Sequence, residues 1–410
     1  MLKVSPWARF DDARLGVGHR FAEVLGTVVA TEPEDVPGAL AAVDEASREG
    51  LWAFGFVAYE AASGFDSGLA VHAPADGLPL VWFGLSKAPE RISLVGSTKE
   101  RAYRLGPRRY EWGPEQHRRA VDRIHGHIAD GDTYQCNLTT RIDMDFEGDV
   151  SQMYGDLVHG QGGSYNAFLD TGRFAIASAS PELFFEFDGD RLLMRPMKGT
   201  ARRGGSLAED HDIVSRLLND PKERAENIMI VDLVRNDVSR LAVTGGVSVT
   251  ALCRAEQYRT THQLTSDVTA RLRPGVGLPE IFGALFPCGS VTGAPKARTM
   301  EIIRDLEPSP RGVYCGAIGM VAPVGTRVRA RFNVAIRTLV ADRLRRRATY
   351  GTGGGITWDS SAGAEYAELC AKATLLTAVE TRHVPRRLAY HSSPSHTTAV
   401  DISVVCRDFE

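Results

Sequence analysis

The chain has 410 residues, 48 lysines and arginines against 51 aspartates and glutamates, and a formal net charge of −3. That length allows one large or two ordinary domains around a substantial core. The near-balanced charge excludes the basic footprint of a nucleic-acid binder or of a protein held to an anionic membrane.

Met1-Leu-Lys-Val-Ser-Pro-Trp7 has no apolar leader core, and no apolar run reaches the roughly 18 residues a membrane-spanning helix needs. A cytoplasmic protein is expected. The cysteines at 136, 253, 288, 315, 370 and 406 form no Cys-x-x-Cys pair, which argues against a zinc site and a disulfide framework and for a reducing compartment.

Residues 1–105 mix short β-like runs, such as Leu51 to Tyr59 and Leu80 to Phe83, with Gly, Pro and Ala loops. They are read as a β-rich N-terminal subdomain, followed by a catalytic core over 106–380. A helical pattern follows Trp112 and runs through Ile124 and Ile128 to Gly131. Strands are expected at 174–177, 183–187, 317–321 and 331–339, and helices near 209–219, 221–235, 279–286, 295–305 and 363–379. Runs of strands broken by helices at irregular intervals predict an α+β fold with large, mostly antiparallel sheets and outer helices. Arg343-Leu-Arg-Arg-Arg347 lies between two β-like segments and reads as a solvated hairpin end. From about residue 381 to 410, Pro, Ser, Thr and His accumulate without periodicity, and a flexible tail is expected.

Lys198 stands in Arg195-Pro-Met-Lys-Gly-Thr-Ala-Arg-Arg-Gly204, between a proline-led strand end and a Gly-Thr turn. That context presents an amine, which becomes a nucleophile only beside another cation or out of water. Asp220 caps a helix opened by Pro221, and Glu223 and Glu226 share one of its faces. Near the C-terminus Glu365 and Glu368 repeat that spacing, with Lys372 one turn later. Either pair alone is explained by capping and ion pairing on an exposed helix. Two pairs beside apolar stretches fit carboxylates converging on a hard cation such as Mg²⁺.

Gly289-Ser-Val-Thr-Gly-Ala-Pro-Lys296 has the wrong spacing for a phosphate loop and reads as a turn into a helix at Pro295. Its backbone N–H groups would be free for a substrate oxyanion. Gly351-Thr-Gly-Gly-Gly-Ile356 reads either as a bulged strand or as backbone closely approached by a ligand. Arg337 falls inside an expected strand, where it would need an anionic partner. Tyr314 and His262 read on their own as packing residues of intermediate burial.

Together these motifs resemble the chorismate-utilising family of anthranilate, aminodeoxychorismate, isochorismate and salicylate synthases. The resemblance covers about residues 110–380: Ser178-Ala-Ser-Pro-Glu182, Pro196-Met-Lys-Gly-Thr200, Ala225-Glu-Asn-Ile-Met-Ile-Val-Asp-Leu-Val-Arg-Asn-Asp237, the Gly289 loop, and Gly353 through Glu365-Tyr-Ala-Glu368. Phe54-Gly-Phe-Val-Ala-Tyr-Glu-Ala61 adds to it.

The resemblance implies that lysine at 198, rather than the alanine of the anthranilate branch, is the nucleophile of the aminodeoxychorismate branch. Gln135 stands where the water-adding branches carry a lysine base. Both features point to 4-amino-4-deoxychorismate formation, on the way to 4-aminobenzoate. Anthranilate-type or isochorismate- or salicylate-forming chemistry, or a silent chorismate-binding subunit, are the alternatives.

The resemblance further implies Mg²⁺ on Glu226 and Glu368, with Glu223 and Glu365 in water-mediated support. Arg337, Tyr314, Lys372 and the backbone of Gly353, Gly354 and Gly355 would hold the substrate carboxylates. Thr200 and His262 would lie against the ring, and Glu182 would act as the acid. Cys288 departs from the glycine the family commonly has before Gly-Ser-Val-Thr-Gly. None of the six cysteines has the Gly-x-Cys-x-Gly context of a glutaminase nucleophile. Ammonia is therefore expected from an amidotransferase partner or from solution, and pyruvate release from a separate lyase.

Overall fold

The computed structural model describes residues 5–75, 77–97, 102–258 and 261–380. The expected tail at 381–410 lies outside the described residues.

Alternation of side chains builds the molecule in layers. Phe54 and Phe56 of the strand Trp52–Val57 point to one side, and Ala53 and Val57 to the other. Ala175, Ala177 and Ala179 likewise face away from Ile176 in Phe174–Ser180. Side chains on successive strand positions must do so, because the pleat turns each Cβ to the opposite face. Two antiparallel sheets result, packed face to face through Phe21, Phe54, Phe56, Trp82, Leu169, Ile176 and Ile318.

The first sheet runs Gly293–Ala294, Gln135–Gly148, Arg347–Ile356, Thr338–Asp342, Phe174–Ser180, Tyr165–Asp170, Trp7–Asp12, Val17–Phe21 and Glu90–Ser93. The second runs Met197–Arg202, Thr261–Leu272, Arg191–Arg195, Leu183–Phe187, Ala330–Val334, Ala317–Val321, Trp52–Val57, Val81–Ser86 and Gly26–Ala30, with Ala242–Gln257 also on Thr261–Leu272. Strands from the first hundred residues enter both sheets: Trp7–Asp12 pairs with Tyr165–Asp170, and Trp52–Val57 with Ala317–Val321.

Helices cover the outer faces. Val150–Gln161 and Ala362–Glu380 close the first sheet over Met153, Leu157, Tyr350, Ala373 and Leu376. Val36–Arg48, Pro221–Ser239 and Leu278–Leu285 close the second over Leu40, Val43, Ile230, Val234, Ile281 and Phe282. The α+β fold read from the sequence is the one observed.

The expected helices are seen at Pro114–Ala129, Leu207–Asn219, Pro221–Ser239, Leu278–Leu285, Lys296–Leu306 and Ala362–Glu380. Val36–Arg48 and Val150–Gln161 are helices that the sequence reading passed over. The strand expected over 331–339 is two strands, Ala330–Val334 and Thr338–Asp342, on different sheets. The chain crosses between them at Arg337, whose φ of 53° lies in the left-handed region. Arg343 to Arg346 form the turn before Arg347–Ile356, the solvated hairpin end that was expected.

Candidate active site

Strand ends from both sheets and two carboxylate-bearing helices meet at Lys198. The lysine lies on Met197–Arg202, an outer strand of the second sheet whose register with Thr261–Leu272 shifts between Met197 and Thr200. Its amine reaches toward the glycine strand of the first sheet. A β-carbon on Gly355 would stand 2.6 Å from Gln135 Nε2 and 2.8 Å from Lys198 Nζ. Only a glycine leaves room for both.

The same strand makes two other close approaches. A β-carbon on Gly351 would fall 2.2 Å from the Tyr314 ring, and one on Gly353 2.3 Å from the Leu138 carbonyl oxygen. The pairing of Arg347–Ile356 with Gln135–Gly148 runs without a register break, so the glycines serve close approach and not a bulge.

Gln135 is buried, and among the described residues neither its amide oxygen nor its amide nitrogen has a partner. Buried polar groups are normally satisfied, so this amide is poised for a ligand. Glu182, 3% exposed, sits at the turn between Phe174–Ser180 and Leu183–Phe187. Burial pushes its carboxyl up to about 7, against the opposing effects of a Ser290 hydrogen bond, the Lys198 charge and the Met197 N–H. The Ser290 hydroxyl donates to Glu182 Oε1 at 2.8 Å. A carboxylic acid that keeps its proton to neutral pH beside an amine is suited to protonate a poor leaving group.

The two glutamate pairs are brought together. Asp220 caps its helix by accepting from the N–H groups of Lys222 and Glu223. Glu223 is raised first by burial, then by Glu226 and Asp220, with Glu368 of the other helix adding to it. Glu365 is raised by burial and by Glu368, against a 2.7 Å hydrogen bond from Ser360.

Burial pushes Glu368 up as well, but Lys372 outweighs it and holds the carboxyl below its ordinary range. The Lys372 amine binds Glu368 at 2.8 Å and the Gly353 carbonyl at 2.7 Å. Desolvation lowers the lysine despite that partner, and Arg337 and Lys198 add to the lowering. The Glu368 side chain is 56% exposed, so this pair contributes little stability.

Among the described residues no three His, Cys, Asp or Glu side chains are gathered closely enough to hold a metal by themselves. The four carboxylates nevertheless crowd one another with like charge. Their oxygen chemistry suits a hard cation that takes few protein ligands and keeps water or substrate oxygens.

Other expected residues are placed less simply. Arg337 stands at the crossing between sheets, not within a strand, and no ion pair of its side chain occurs among the described residues. The charges of Arg337, Lys198 and Lys372 all act on Glu368. His262 is buried, with Nε2 2.9 Å from Asp210 and, among the described residues, no partner on Nδ1. Asp210 also accepts from Arg203 Nε at 2.8 Å and from the Gly204 N–H at 2.7 Å. Arg203 foremost, then His262, holds that carboxyl far below the ordinary range. Thr200 is exposed and pairs with Gln263. A separate cavity of about 190 Å³ lies against the first sheet, lined by Tyr314 and Gly351 but by none of Lys198, Glu182, Gln135 or the glutamate pairs.

The sequence pattern of chorismate binding enzymes matches residues 27–378. The chain belongs to this family. It is 38% identical over 287 residues to aminodeoxychorismate synthase component 1 of Salmonella typhimurium, an alignment covering 70% of this chain and 60% of that one. It is 40% identical over 263 residues to an anthranilate synthase component 1 of Haloarcula marismortui, covering 63% and 51%. The chain thus spans little more than half the length of these relatives. The crystal structure of anthranilate synthase component I from Streptococcus pneumoniae superposes with a TM-score of 0.72 at 26% identity, over 91% of this chain and 90% of that one.

Within this chorismate binding enzyme, two partners escaped the sequence reading. Ser290 was weighed only for its backbone N–H, although a buried acid needs a donor and a serine lay in the motif. Asp210 carried no signal, because only the fold brings the helix Leu207–Asn219 against His262.

Proposed function

We propose that the chain is the chorismate-aminating component of an aminodeoxychorismate synthase, with ammonia delivered by a glutamine amidotransferase partner. The observation that carries this reading is the convergence of the Lys198 amine and the Gln135 amide on one face of Gly355, with the protonated Glu182 within the field of Lys198. Aminodeoxychorismate synthase component 1 relatives near 38% identity support it.

In this reading Lys198 attacks C2 of chorismate while Glu182 gives its proton to the departing C4 hydroxyl, which leaves as water. Ammonia then attacks C4 and displaces the lysine from C2, so the double bonds return to their starting places. The lysine leaves as a free amine, and the extra proton of the incoming ammonia can pass to Glu182. Gln135 is an amide and cannot take a proton from water, so the water-adding outcome lacks its base. Arg337, Lys372 and Tyr314 orient the carboxylates.

Mg²⁺ on Glu226 and Glu368, supported by Glu223 and Glu365, would supply positive charge against the substrate carboxylate. We place the chain in the cytoplasm, with a separate lyase taking the product to 4-aminobenzoate; none of the described helices is long and apolar enough to cross a membrane.

The test is to incubate the pure chain with chorismate, Mg²⁺ and ammonium, with and without an aminodeoxychorismate lyase, and to identify the products by mass and chromatography. The 4-amino isomer is expected, with loss of activity on chelation. Lys198→Ala should move the residual product toward the 2-amino isomer. A parent enzyme that makes only the 2-amino product or isochorismate overturns the assignment.

A further inference from the structure

Glu182 is held by a chain of groups that extends one residue beyond Ser290. The 3₁₀ turn Gly289–Val291 folds back on itself, with the Val291 N–H donating to the Cys288 carbonyl at 3.1 Å. This turn brings the Cys288 thiol 3.3 Å from Ser290 Oγ, which in turn lies 2.8 Å from Glu182 Oε1. Cys288, Ser290 and Glu182 are all buried.

A serine hydroxyl has one hydrogen to give, and here it goes to the carboxyl. The serine oxygen is then left to accept, and the thiol is the group placed to donate to it. Hydrogen bonds in such a chain strengthen one another in a buried setting.

We propose that Cys288 is a positioning residue for the acid step, its thiol fixing the Ser290 hydroxyl toward Glu182 and thereby setting the pH at which Glu182 gives up its proton. The inference rests on Glu182 being the acid of the proposed reaction. The thiol keeps its hydrogen through the working range, because burial and then the Glu182 charge push it up to about 12.

The charged groups around the chain are few. Lys198 acts on Glu182 from the strand Met197–Arg202. Lys296 acts on Cys288 from the helix Lys296–Leu306, and is itself paired at 2.8 Å with Asp237 of Pro221–Ser239. None of these depends on the thiol, so removing it alters the hydrogen-bond chain and leaves the surrounding charges in place.

The direction follows. A hydroxyl that receives the thiol hydrogen is a better donor to Glu182, and donation favours the ionised carboxylate. Cys288→Ala should therefore raise the Glu182 midpoint by about half a unit, the size expected for weakening one modest hydrogen bond. Cys288→Ser, a stronger donor of nearly the same shape, should lower it below the parent.

The measurement is an infrared pH titration of the protonated carboxyl, isolated by difference against Glu182→Gln. It does not depend on turnover. A midpoint unmoved in Cys288→Ala, with the melting temperature of the parent, overturns the proposal. If that variant does not fold, an unmoved midpoint in Cys288→Ser overturns it. Should the midpoints move as expected while the parent forms no 4-amino product, the positioning role stands and the assigned reaction falls.

Discussion

Charge is buried in two neighbouring places in this molecule, and the two are treated in opposite ways. Around Arg311 the charged groups are matched, and of the side chains packed there the Tyr59 hydroxyl is left without a partner among the described residues. Its guanidinium donates to Glu307 at 2.7 and 2.8 Å, to the Val291 carbonyl at 2.7 Å and to the Asn137 carbonyl at 2.8 Å, and it lies 4.5 Å from the Tyr59 ring. Glu60 accepts from the N–H groups of Arg311 and Gly312.

In the cleft beside it, among the described residues, Gln135 has no partner on either amide atom and His262 none on Nδ1. The first cluster pairs its charges within the protein, and the second leaves polar atoms open, as the proposed substrate site would. Arg311 joins the two, since the carbonyls it grips belong to the Gly289 turn and to the strand of Gln135. Paired charge in one place makes unmatched polar atoms tolerable in the other.

Substitutions should separate the two regions. The largest effect on turnover is expected from Glu182→Gln, which removes the proton donor and should slow amination about 10²- to 10⁴-fold. Its melting temperature at pH 8 should equal or exceed that of the parent, because a carboxyl desolvated in the fold is replaced by a neutral amide. In the parent, at fixed free ammonia, the part of the rate due to Glu182, read as the ratio of parent to Glu182→Gln, should fall as pH rises through about 7, where Glu182 loses its proton. A ratio flat across that window removes Glu182 from the acid role.

Arg311→Met should do the reverse. It strands Glu307 and two carbonyls, at a cost of about 3–5 kcal/mol measurable by denaturant unfolding. A variant as stable as the parent would mean that the matched cluster is not holding the cleft.

Two glycines of one strand sharpen the comparison. Gly353→Ala drives a methyl into the Leu138 carbonyl and should lower stability, whereas Gly355→Ala meets only the ends of Lys198 and Gln135. The second should leave unfolding within about 1 kcal/mol of the parent and lower turnover by up to ~10²-fold through misplacement of the amine.

The smallest stability change belongs to Gln135→Leu, expected to be neutral or slightly stabilising because two unmatched polar atoms leave the interior. A loss of about 2 kcal/mol or more would show the amide to be structural.

Periodic and capped elements were legible before the fold was known. Asp220 with Pro221 announced its helix because capping is a local interaction. The helix Val36–Arg48 was missed because Pro37 and Gly38 sit in its first turn and look like loop residues.

Arg337 was misplaced for a different reason. A run of β-forming residues carries no mark where the chain leaves one sheet for another, and an arginine at positive φ is uncommon enough not to be expected. The carboxylates, Lys198 and Glu182 were legible because reactive side chains cluster in short motifs. The hydroxyl behind Glu182 was read only as backbone, and the Asp210 carboxylate behind His262 was invisible, since such supports are recruited from wherever the fold brings them.

The outer position of the Lys198 strand has a kinetic corollary. Among the described residues Met197–Arg202 pairs with one strand only, Thr261–Leu272, whereas Glu182 lies at a turn between strands that are each paired on both sides. Backbone amides near Lys198 should exchange with solvent deuterium sooner than those near Glu182. In the proposed reaction, the nucleophile that must first close on carbon and later withdraw would thereby ride on the compliant side of the cleft, with the proton donor anchored in the rigid one.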